Sequence, residues 1–435
     1  MNRRSFLKLP GLLPFVAIRP PWLSEGLSEA HHFEFEGIIG TSMDLSVWAP
    51  NASVAEGACA TALAEIDRLA SILDTRRPDS AISRYERAGG KVAAPPELQA
   101  VLKAYARWEH RTGGVFTMRP RGADAPRDID ALGKAYIIDR AAAALREAWP
   151  SVDGLLLNIG GDAVVSGTAC EIAIADPDHA YDNARPVATV RIRNAAIATS
   201  GTYARGAHLV DGRGGRGTGN AAATVVAPDV VTANALATTL CLIEADRGMQ
   251  LVEATPDAEA LRCSSGDVRR SSGFAILEER YKPGTDVNAA WPNGYQFSVT
   301  VPLTPGRSKK RPYVSVWIED SEGNLVRPLA FWGSQSKYQP HLPTIWTLMT
   351  RGHIPIRSVS RATRAVGKYD FVWDGFDLNQ KPVPPGTYRV TVETNQEHGS
   401  YAKQSGLITL GDAPETITLS ATANFDKVVV QYGPK

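Results

Sequence analysis

Two polar side chains lie four residues apart in an alanine-rich segment of the chain, Ala233-Asn-Ala-Leu-Ala-Thr238. Apolar spacing predicts a helix over Thr232–Ile243, so Asn234 and Thr238 share one face and can both reach a single ion. A neutral amide oxygen can coordinate a hard cation, although it contributes less charge than a carboxylate. Taken alone, two polar residues on an alanine-rich helix are more often packing accommodations, so the spacing by itself does not establish a site.

A second segment with the character of a ligand site is Asn158-Ile-Gly-Gly-Asp162. The pattern predicts a strand that ends in two glycines, where the backbone can approach a ligand closely because no Cβ intervenes. A tight turn between two strands fits the same letters. We expect this segment to frame a pocket and to play a supporting role there.

Helical and strand patterns interleave in the first two thirds of the chain without a regular βαβ period, which favours a layered α+β domain over a doubly wound one. Before Thr232–Ile243, amphipathic spacing predicts helices at Ser53–Leu73, Pro95–Arg111 and Ile137–Trp149. Alternating or apolar runs predict a strand pair within Phe33–Trp48 and further strands at Leu155–Asn158, Val187–Ile192 and Val225–Ala227.

The composition changes between Glu278 and Tyr295, where Pro-Gly and Asn-Gly pairs and few apolar residues predict a linker. Short β-type runs separated by turns follow it and predict an all-β immunoglobulin-like sandwich, with strands at Gln296–Val301, Val314–Ile318, Tyr369–Trp373, Tyr388–Glu393 and Lys427–Gln431. We therefore divide the chain into a leader over 1–30, an α+β domain over 31–280, a linker over 281–295 and a sandwich over 296–435.

Bulk composition excludes some partners. The 435 residues include 47 basic and 46 acidic side chains, a net charge of +1, so there is no electrostatic footprint for nucleic acid and none is expected as a partner. The four cysteines form no C-x-x-C pair, which argues against zinc and thioredoxin-type sites. Cys59 and Cys241 fall in apolar helical patterns and are predicted to be core residues, while disulfide pairing is left open.

The N-terminus, Met1-Asn-Arg-Arg-Ser-Phe-Leu-Lys8, has the pattern of a twin-arginine export signal. The apolar run after it, Leu9–Ile18, is too short to span a bilayer. A basic N-terminus by chance is the alternative. We expect export in the folded state to the periplasm or beyond, with no membrane-spanning segment in the exported protein and with a membrane-associated redox partner left open.

In chain order, the motifs resemble those of the ApbE family, the FAD:protein FMN transferases, over about Phe33–Glu278. Asp128-Ile-Asp-Ala-Leu-Gly-Lys-Ala-Tyr-Ile-Ile-Asp139 is similar to D-L-G-G-I-A-K-G-Y-x-x-D, and Thr199-Ser-Gly201, His208-Leu-Val-Asp211 and Ala233–Thr238 are similar to T-S-G, H-I-I-D and A-D-A-L-A-T. The last third resembles DUF2271 and hook-capping Ig-like modules through Trp373-Asp-Gly375 and Pro385-Gly-Thr-Tyr-Arg389.

The resemblance implies a Mg²⁺ site formed by the carbonyl oxygen of Ala131 and the side chains of Asn234 and Thr238. Asn234 stands where the family has Asp, so the site has lost one negative charge. Asp130, at a position where the family has Gly, is our first candidate to compensate, and Asp211 is the second. His208 and Asp130 are the predicted catalytic residues, with His208 deprotonating or orienting the attacking hydroxyl or, alternatively, bonding to its own loop.

The resemblance also implies a pocket for FAD. Tyr85 falls near a frequent Asn of the family and could stack on the adenine, and Thr117 replaces a family Asp. Lys134 is predicted to face a phosphate or the ring edge, with a solvated lysine at a helix start as the alternative. The predicted FAD-binding residues are Tyr85, Val115, Phe116, Thr117, Asp128, Lys134, Ser200 and Leu209.

The implied reaction is Mg²⁺-dependent transfer of FMN from FAD to a Thr or Ser hydroxyl of an acceptor protein, with release of AMP. Changes at positions 85, 117 and 234 leave a second hypothesis open, an exported FAD-binding or scaffold protein with a degenerate metal site. A third is hydrolysis of FAD to FMN and AMP, which Tyr85 disfavours because it would crowd the pocket.

Overall fold

The computed structural model describes residues 18–19, 29–122, 124–179, 186–201, 210–213, 221–264, 267–278, 292, 295–306, 310–333, 336–352, 360–361, 363–378 and 381–434. The chain forms two compact units. The N-terminal unit contains the described residues before the predicted linker except His179, and the C-terminal unit contains those from Tyr295 onward.

The N-terminal unit mixes helices and strands. Its elements in chain order are β1 (Ile18–Arg19), β2 (Glu29–Ile38), β3 (Thr41–Ala49), α1 (Ala52–Leu73), α2 (Ala81–Arg87), α3 (Pro96–Thr112), α4 (Asp130–Ala148), β4 (Gly154–Ile159), β5 (Asp162–Ser166), β6 (Cys170–Ala175), β7 (Pro186–Ile192), β8 (Ala195–Gly201), β9 (Ala221–Ala227), α5 (Val230–Leu240), α6 (Ala245–Glu253), β10 (Glu259–Ser264), β11 (Asp267–Arg270) and α7 (Phe274–Leu277).

The central layer of this unit is an antiparallel sheet with the strand order β11-β10-β9-β8-β5-β4-β3-β2. Successive side chains of a strand point to opposite faces, and both faces here are apolar. Leu45 and Val47 of β3 pack toward the helices, whereas Trp48 packs with the residues of β6 and β7 in a smaller sheet of order β1-β6-β7. Helices, large sheet and small sheet form three layers, which confirms the predicted layered α+β architecture.

The helical layer consists mainly of α1, α4 and α5. Helix α1 begins after Asn51, whose side chain accepts the N–H of Val54 at 3.0 Å. Helix α4 has no side-chain cap, and the N–H of Leu132 in its first turn donates to the hydroxyl of Tyr105 at 3.3 Å. The prediction that this helix begins at Ile137 was wrong: it begins at Asp130, because a tertiary contact replaces the cap.

The C-terminal unit is built almost entirely of strands. Its elements are β12 (Tyr295–Leu303), β13 (Tyr313–Glu319), β14 (Leu325–Trp332), α8 (Pro343–Arg351), β15 (Ser360–Arg361), β16 (Gly367–Trp373), β17 (Gly386–Asn395), β18 (Ala402–Leu410), β19 (Glu415–Leu419) and β20 (Val428–Pro434).

These strands form two sheets, of orders β16-β12-β20-β19 and β15-β14-β13-β17-β18, which enclose one apolar core. Val299 of β12 and Val316 of β13 represent the two inner faces. The five strands predicted from sequence all fall on observed strands, and the predicted β-sandwich is confirmed. Strand β14 was missed because Pro328 interrupts its pattern; the pairing of β14 with β13 is irregular there.

None of the helices in the described ranges is both long and apolar enough to cross a bilayer. All four cysteines are buried and unpaired, so the disulfide left open from sequence is not formed. The twin-arginine segment lies outside the described residues.

Candidate active site

The turn that joins β4 to β5 consists of Gly160 and Gly161, whose φ angles are +60° and +91°. A Cβ at Gly160 would lie 2.9 Å from the hydroxyl oxygen of Thr41, so only glycine fits there. The N–H of Gly160 also donates to the carbonyl of Ser42 at 3.1 Å. Close packing against the end of the β2–β3 hairpin therefore fixes the start of β5, and with it the position of Asp162.

Asp162 is almost completely buried, with 2% of its surface exposed. Its Oδ2 atom lies 2.8 Å from Nζ of Lys134 on α4 and accepts a hydrogen bond of 2.9 Å from Nδ2 of Asn234 on α5. Nζ of Lys134 also donates to the carbonyl of Gly160 at 3.3 Å. A buried carboxylate needs such partners. The contacts of Asp162 bring together residues of three motifs, those at 128–139, 158–162 and 233–238.

Asn234 has one satisfied and one unsatisfied side-chain atom. While Nδ2 donates to Asp162, the Oδ1 atom is buried and has no hydrogen-bond partner. A buried acceptor without a partner costs about 1–3 kcal/mol, and an amide oxygen in this state is suited to bind a cation or a donor group. This observation fits the predicted role of Asn234 as a metal ligand.

Thr238 lies one turn after Asn234 on α5 and is half-buried. Its hydroxyl lies 3.0 Å from that of Ser200 on β8. The carbonyl of Ser200 in turn accepts the thiol of Cys241 at 3.3 Å. The T-S-G segment and the α5 helix therefore share a hydrogen-bonded contact, as expected if both line one site.

Ala131 lies in the first turn of α4. In a regular helix its carbonyl oxygen accepts from the residue four positions later, and a second lone pair remains. Together with Oδ1 of Asn234 and the hydroxyl of Thr238, it gives a set of neutral oxygen donors. Hard cations such as Mg²⁺ accept oxygen donors of these types, so the residues present fit the implied ion.

The carboxylate of Asp130 accepts a hydrogen bond of 2.6 Å from the hydroxyl of Thr75. Although the residue as a whole is exposed, loss of solvent around the carboxyl raises its pKa, with Asp128 adding to the effect. The carboxylate that contacts Asn234 is that of Asp162, not that of Asp130. Compensation by Asp130 for the missing charge stays a prediction.

Asp211, the second candidate for compensation, is buried and paired with Arg213. The guanidinium approaches its two carboxylate oxygens at 2.6–3.2 Å, and these hydrogen bonds lower the pKa of Asp211. Its charge is therefore already balanced within the loop. The next residue, Gly212, donates its N–H to the carbonyl of Val115 at 3.1 Å, which brings the H-x-x-D and G-G-V-F-T motifs together.

The predicted FAD residues at 115–117 differ in their surroundings. Val115 and Phe116 are buried, and the Phe116 ring stacks on Tyr105 with centroids 5.3 Å apart, so both contribute to packing. The hydroxyl of Thr117 donates to Glu109 at 2.9 Å and accepts the N–H of Arg119 at 3.1 Å. These contacts hold the loop that carries the motif.

Tyr85 on α2 contacts Arg127 in the segment before α4. The guanidinium of Arg127 lies 5.2 Å from the centre of the Tyr85 ring and 2.5 Å from a carboxylate oxygen of Glu86. Two adjoining cavities of about 220 and 320 Å³ lie here and share Thr75, Pro126 and Arg127 in their linings. Asp128 and Asp130 line the smaller of the two.

The ApbE family matches residues 39–121 and 118–262, which together span more than half of the chain. This chain belongs to the ApbE family. The resemblance seen in the motifs is confirmed, and the predicted enzyme class is that of this family.

Solved ApbE structures resemble the chain at low sequence identity. The ApbE protein of Thermotoga maritima is 18% identical, with a TM-score of 0.50, over 58% of this chain and 100% of that one. Flavin transferase ApbE from Vibrio cholerae is 20% identical, with a TM-score of 0.49, over 57% and 100%. The apo flavinyl transferase ApbE of Pseudomonas stutzeri is 17% identical, with a TM-score of 0.48, over 59% and 100%. The first of these supports the ApbE-like fold.

The C-terminal unit matches a second family over residues 295–427, DUF2271, which is described as a predicted periplasmic protein. The resemblance to DUF2271 is thereby confirmed, and the description agrees with a location outside the cytoplasm. A search of curated proteins gives no match.

Two of the predicted site residues fall in the 202–209 segment. His208 and Leu209 lie outside the described residues, so their predicted roles stay predictions. Within the described part of the chain, no three His, Cys, Asp or Glu side chains cluster as a metal site of acidic or imidazole ligands.

Sequence reasoning missed the partner of Asn234. Asp162 was assigned only to a pocket-framing segment, although it contacts both Lys134 and Asn234. The available signal was its place directly after two glycines, where a buried ionisable side chain is unusual unless it is paired. The contact itself depends on strand order and could not be found from spacing.

Proposed function

We propose that the N-terminal unit transfers FMN from FAD to a Thr or Ser hydroxyl of an acceptor protein. The hydroxyl oxygen attacks the phosphorus of the FMN half of the pyrophosphate. A new P–O bond forms, the bond from that phosphorus to the bridging oxygen breaks, AMP leaves, and the hydroxyl proton passes to a base. The products are a phosphoester-linked flavin and AMP.

The observation that carries this proposal is the cluster of Lys134, Asp162 and Asn234 on one side of the Gly160–Gly161 turn. It combines a positively charged side chain, 22% exposed, with an amide oxygen that has no partner. Transfer of a phosphoryl group depends chiefly on positioning and on groups that balance charge on its oxygens. Lys134 and Asn234 each lie within hydrogen-bonding distance of Asp162, and all three belong to motifs that the family match includes.

Lys134 would contact an FAD phosphate, since its partner Asp162 holds the ammonium in place without neutralising all of its donors. Ser200 would donate its hydroxyl to a phosphate or flavin oxygen. His208 would take the proton of the attacking hydroxyl. Bound Mg²⁺, held by Ala131, Asn234 and Thr238, would balance negative charge on the pyrophosphate oxygens.

The acceptor would be another exported protein, because the DUF2271 description and the twin-arginine pattern agree on a location outside the cytoplasm. The sandwich would present the acceptor or anchor a complex. Export in the folded state suits a protein that has already bound its flavin substrate.

The test uses the purified full chain with FAD, Mg²⁺ and a domain that an ApbE-family transferase flavinylates. Flavin fluorescence on the denatured acceptor, together with one AMP per flavin attached, is the expected result. The matched control is the same acceptor with its target Thr replaced by Val, which should stay unlabelled. Release of AMP without labelled acceptor would instead establish hydrolysis.

A second candidate function, FAD binding without chemistry, is favoured by one observation. The amide at 234 carries no charge, so the neutral oxygen set attracts Mg²⁺ less strongly than a set with a carboxylate. Bound FAD with neither AMP nor labelled acceptor, at Mg²⁺ concentrations up to tens of millimolar, would support binding alone.

A further inference from the structure

Asn234 and Asp162 form a buried hydrogen-bonded pair, which places a carboxylate next to the amide at position 234. Nδ2 of Asn234 donates to Oδ2 of Asp162 at 2.9 Å, and both residues are more than nine-tenths buried. The pair couples α5 to the first residue of β5.

The carboxylate determines which way the amide points. An amide has a donor end and an acceptor end, and an ionised carboxylate only accepts. A half-turn of the Asn234 amide would bring Oδ1 against the oxygen of Asp162, acceptor against acceptor. The observed orientation is therefore the one that Asp162 selects, and it leaves the buried Oδ1 without a hydrogen-bond partner.

The same carboxylate oxygen also holds Lys134, whose Nζ lies 2.8 Å away. Asp162 thus contacts one residue predicted to bind the ion and one predicted to face the FAD phosphate. Its carboxylate oxygen lies 2.9 Å from the amide nitrogen of Asn234, while the amide oxygen has no hydrogen-bond partner.

We infer that Asp162 is the positioning residue of this site: it aims the Asn234 oxygen at the cation and supplies, from behind the amide, the negative charge that a carboxylate at 234 would supply directly. This inference rests on the proposed function for the identity of the cation. Groups behind a metal ligand typically change metal affinity about 10- to 100-fold when removed.

The test is an exchange of charge between the two positions in the full-length chain. Asp162→Asn removes the charge, Asn234→Asp places two carboxylates face to face, and the double variant moves the single charge from 162 to 234. The readouts are the midpoint of Mg²⁺ titration, followed by thermal stabilisation in the presence of FAD, and the melting temperature without Mg²⁺. FMN transfer is measured separately.

Asp162→Asn should raise the Mg²⁺ concentration at the midpoint about 10-fold or more. The double variant should bring that concentration back to the native value or below it. Without Mg²⁺, the Asn234→Asp variant should melt at a lower temperature than the native chain. Added Mg²⁺ should raise its melting temperature by more than it raises that of the native chain. Asp139→Asn is the matched control, because Asp139 is also a carboxylate bound to α5, through the N–H groups of Val230 and Val231, and should leave the midpoint unchanged.

Two results would overturn the inference: an unchanged Mg²⁺ midpoint in Asp162→Asn, or a midpoint that the double variant fails to restore although it folds. Neither depends on whether FMN is transferred. If the Mg²⁺ midpoints change as expected but no FMN is transferred, the proposed function is rejected and the positioning role of Asp162 stands. If FMN is transferred but Asp162→Asn leaves the midpoint unchanged, the positioning role is rejected and the proposed function stands.

Discussion

The hydroxyl groups of Ser200 and Thr238 lie 3.0 Å apart, and this contact joins β8 to the helix that carries Asn234. Removing either hydroxyl breaks the same hydrogen bond. Only one of the two changes removes an oxygen that we propose binds the ion. Comparing the two substitutions therefore distinguishes loss of the hydrogen bond from loss of the proposed metal ligand, Thr238.

We expect Thr238→Val, which keeps the side-chain shape, to raise the Mg²⁺ concentration for half-maximal activity about tenfold, equivalent to ~1.4 kcal/mol. Ser200→Ala should leave that concentration unchanged and raise the KM for FAD, because Ser200 is assigned to the flavin. Both constants come from initial rates of AMP release. If the two variants change the Mg²⁺ requirement equally, the effect comes from the lost hydrogen bond and Thr238 is not a Mg²⁺ ligand.

Some of these relationships could be predicted from sequence. The apolar spacing of α1 placed that helix at Ser53–Leu73, against Ala52–Leu73 observed, because the buried stripe and the Asn51 cap are both local features. The order of the motifs along the chain was enough to predict the family.

The start of α4 and the partner of Asn234 could not be predicted, for a shared physical reason. Helix α4 begins at Asp130, where a hydrogen bond to Tyr105 satisfies its first turn, and Asp162 reaches Asn234 from a strand 72 residues earlier. Both depend on which elements become neighbours in three dimensions. Local periodicity carries no such information.

Asp139 of α4 accepts hydrogen bonds from the N–H groups of Val230 and Val231 at the first turn of α5. Burial raises its pKa from 3.8 to about 7, and this effect outweighs the opposing contribution of those N–H groups. The native state therefore holds the proton more tightly than the unfolded chain. The stability that this group contributes is complete below about pH 4 and is lost as the pH rises through 7.

Asp139→Asn is neutral at every pH and should remove this dependence. We expect the melting temperature of the variant, relative to the native chain, to rise between pH 4 and 7 and then to level off. The difference in unfolding free energy should reach at most about 4 kcal/mol, at ~1.36 kcal/mol per pKa unit. Thermal denaturation of both proteins across that range measures it, and a difference independent of pH would contradict the assignment.

Two glycines of the N-terminal unit should respond in opposite ways to alanine. A Cβ at Gly212 would lie 2.3 Å from Cγ2 of Thr117 and 2.4 Å from the carbonyl oxygen of Gly114. At Gly133, inside α4, the nearest atom would be 3.8 Å away, an ordinary contact. There is no room for a methyl group at Gly212, whereas there is room for one at Gly133.

We expect Gly212→Ala to destabilise the chain by about 1–3 kcal/mol and to weaken FAD binding, because the 114–117 loop must move. Gly133→Ala should stabilise it by about 0.5–1 kcal/mol, since alanine is the better helix former. Urea denaturation and quenching of flavin fluorescence measure the two effects. Tolerance of alanine at Gly212 would show that the two loops are not held together by this contact.

Glu393 in the sandwich is fully buried and ties α8 to β17. Its two carboxylate oxygens accept the N–H groups of Thr344 and Ile345 at 2.9 and 3.1 Å, and the hydroxyl of Tyr401 at 2.8 Å. The carboxylate also lies at the N-terminus of the helix, where negative charge is favoured. Removing it leaves donors without an acceptor in a buried place.

Glu393→Ala should therefore lower the stability of the C-terminal unit by at least the cost of one unpaired buried donor, about 1–3 kcal/mol. Glu393→Gln keeps one acceptor oxygen and should cost less. Glu397→Gln is the matched control, because Glu397 is partly exposed and its partners are the side chains of Tyr313, at 3.0 Å, and Lys310, at 3.7 Å. Hydrogen exchange of the α8 amides in the full chain distinguishes these outcomes: faster exchange only in the Glu393 variants is expected, and equal exchange in all three would remove Glu393 as the anchor of this helix.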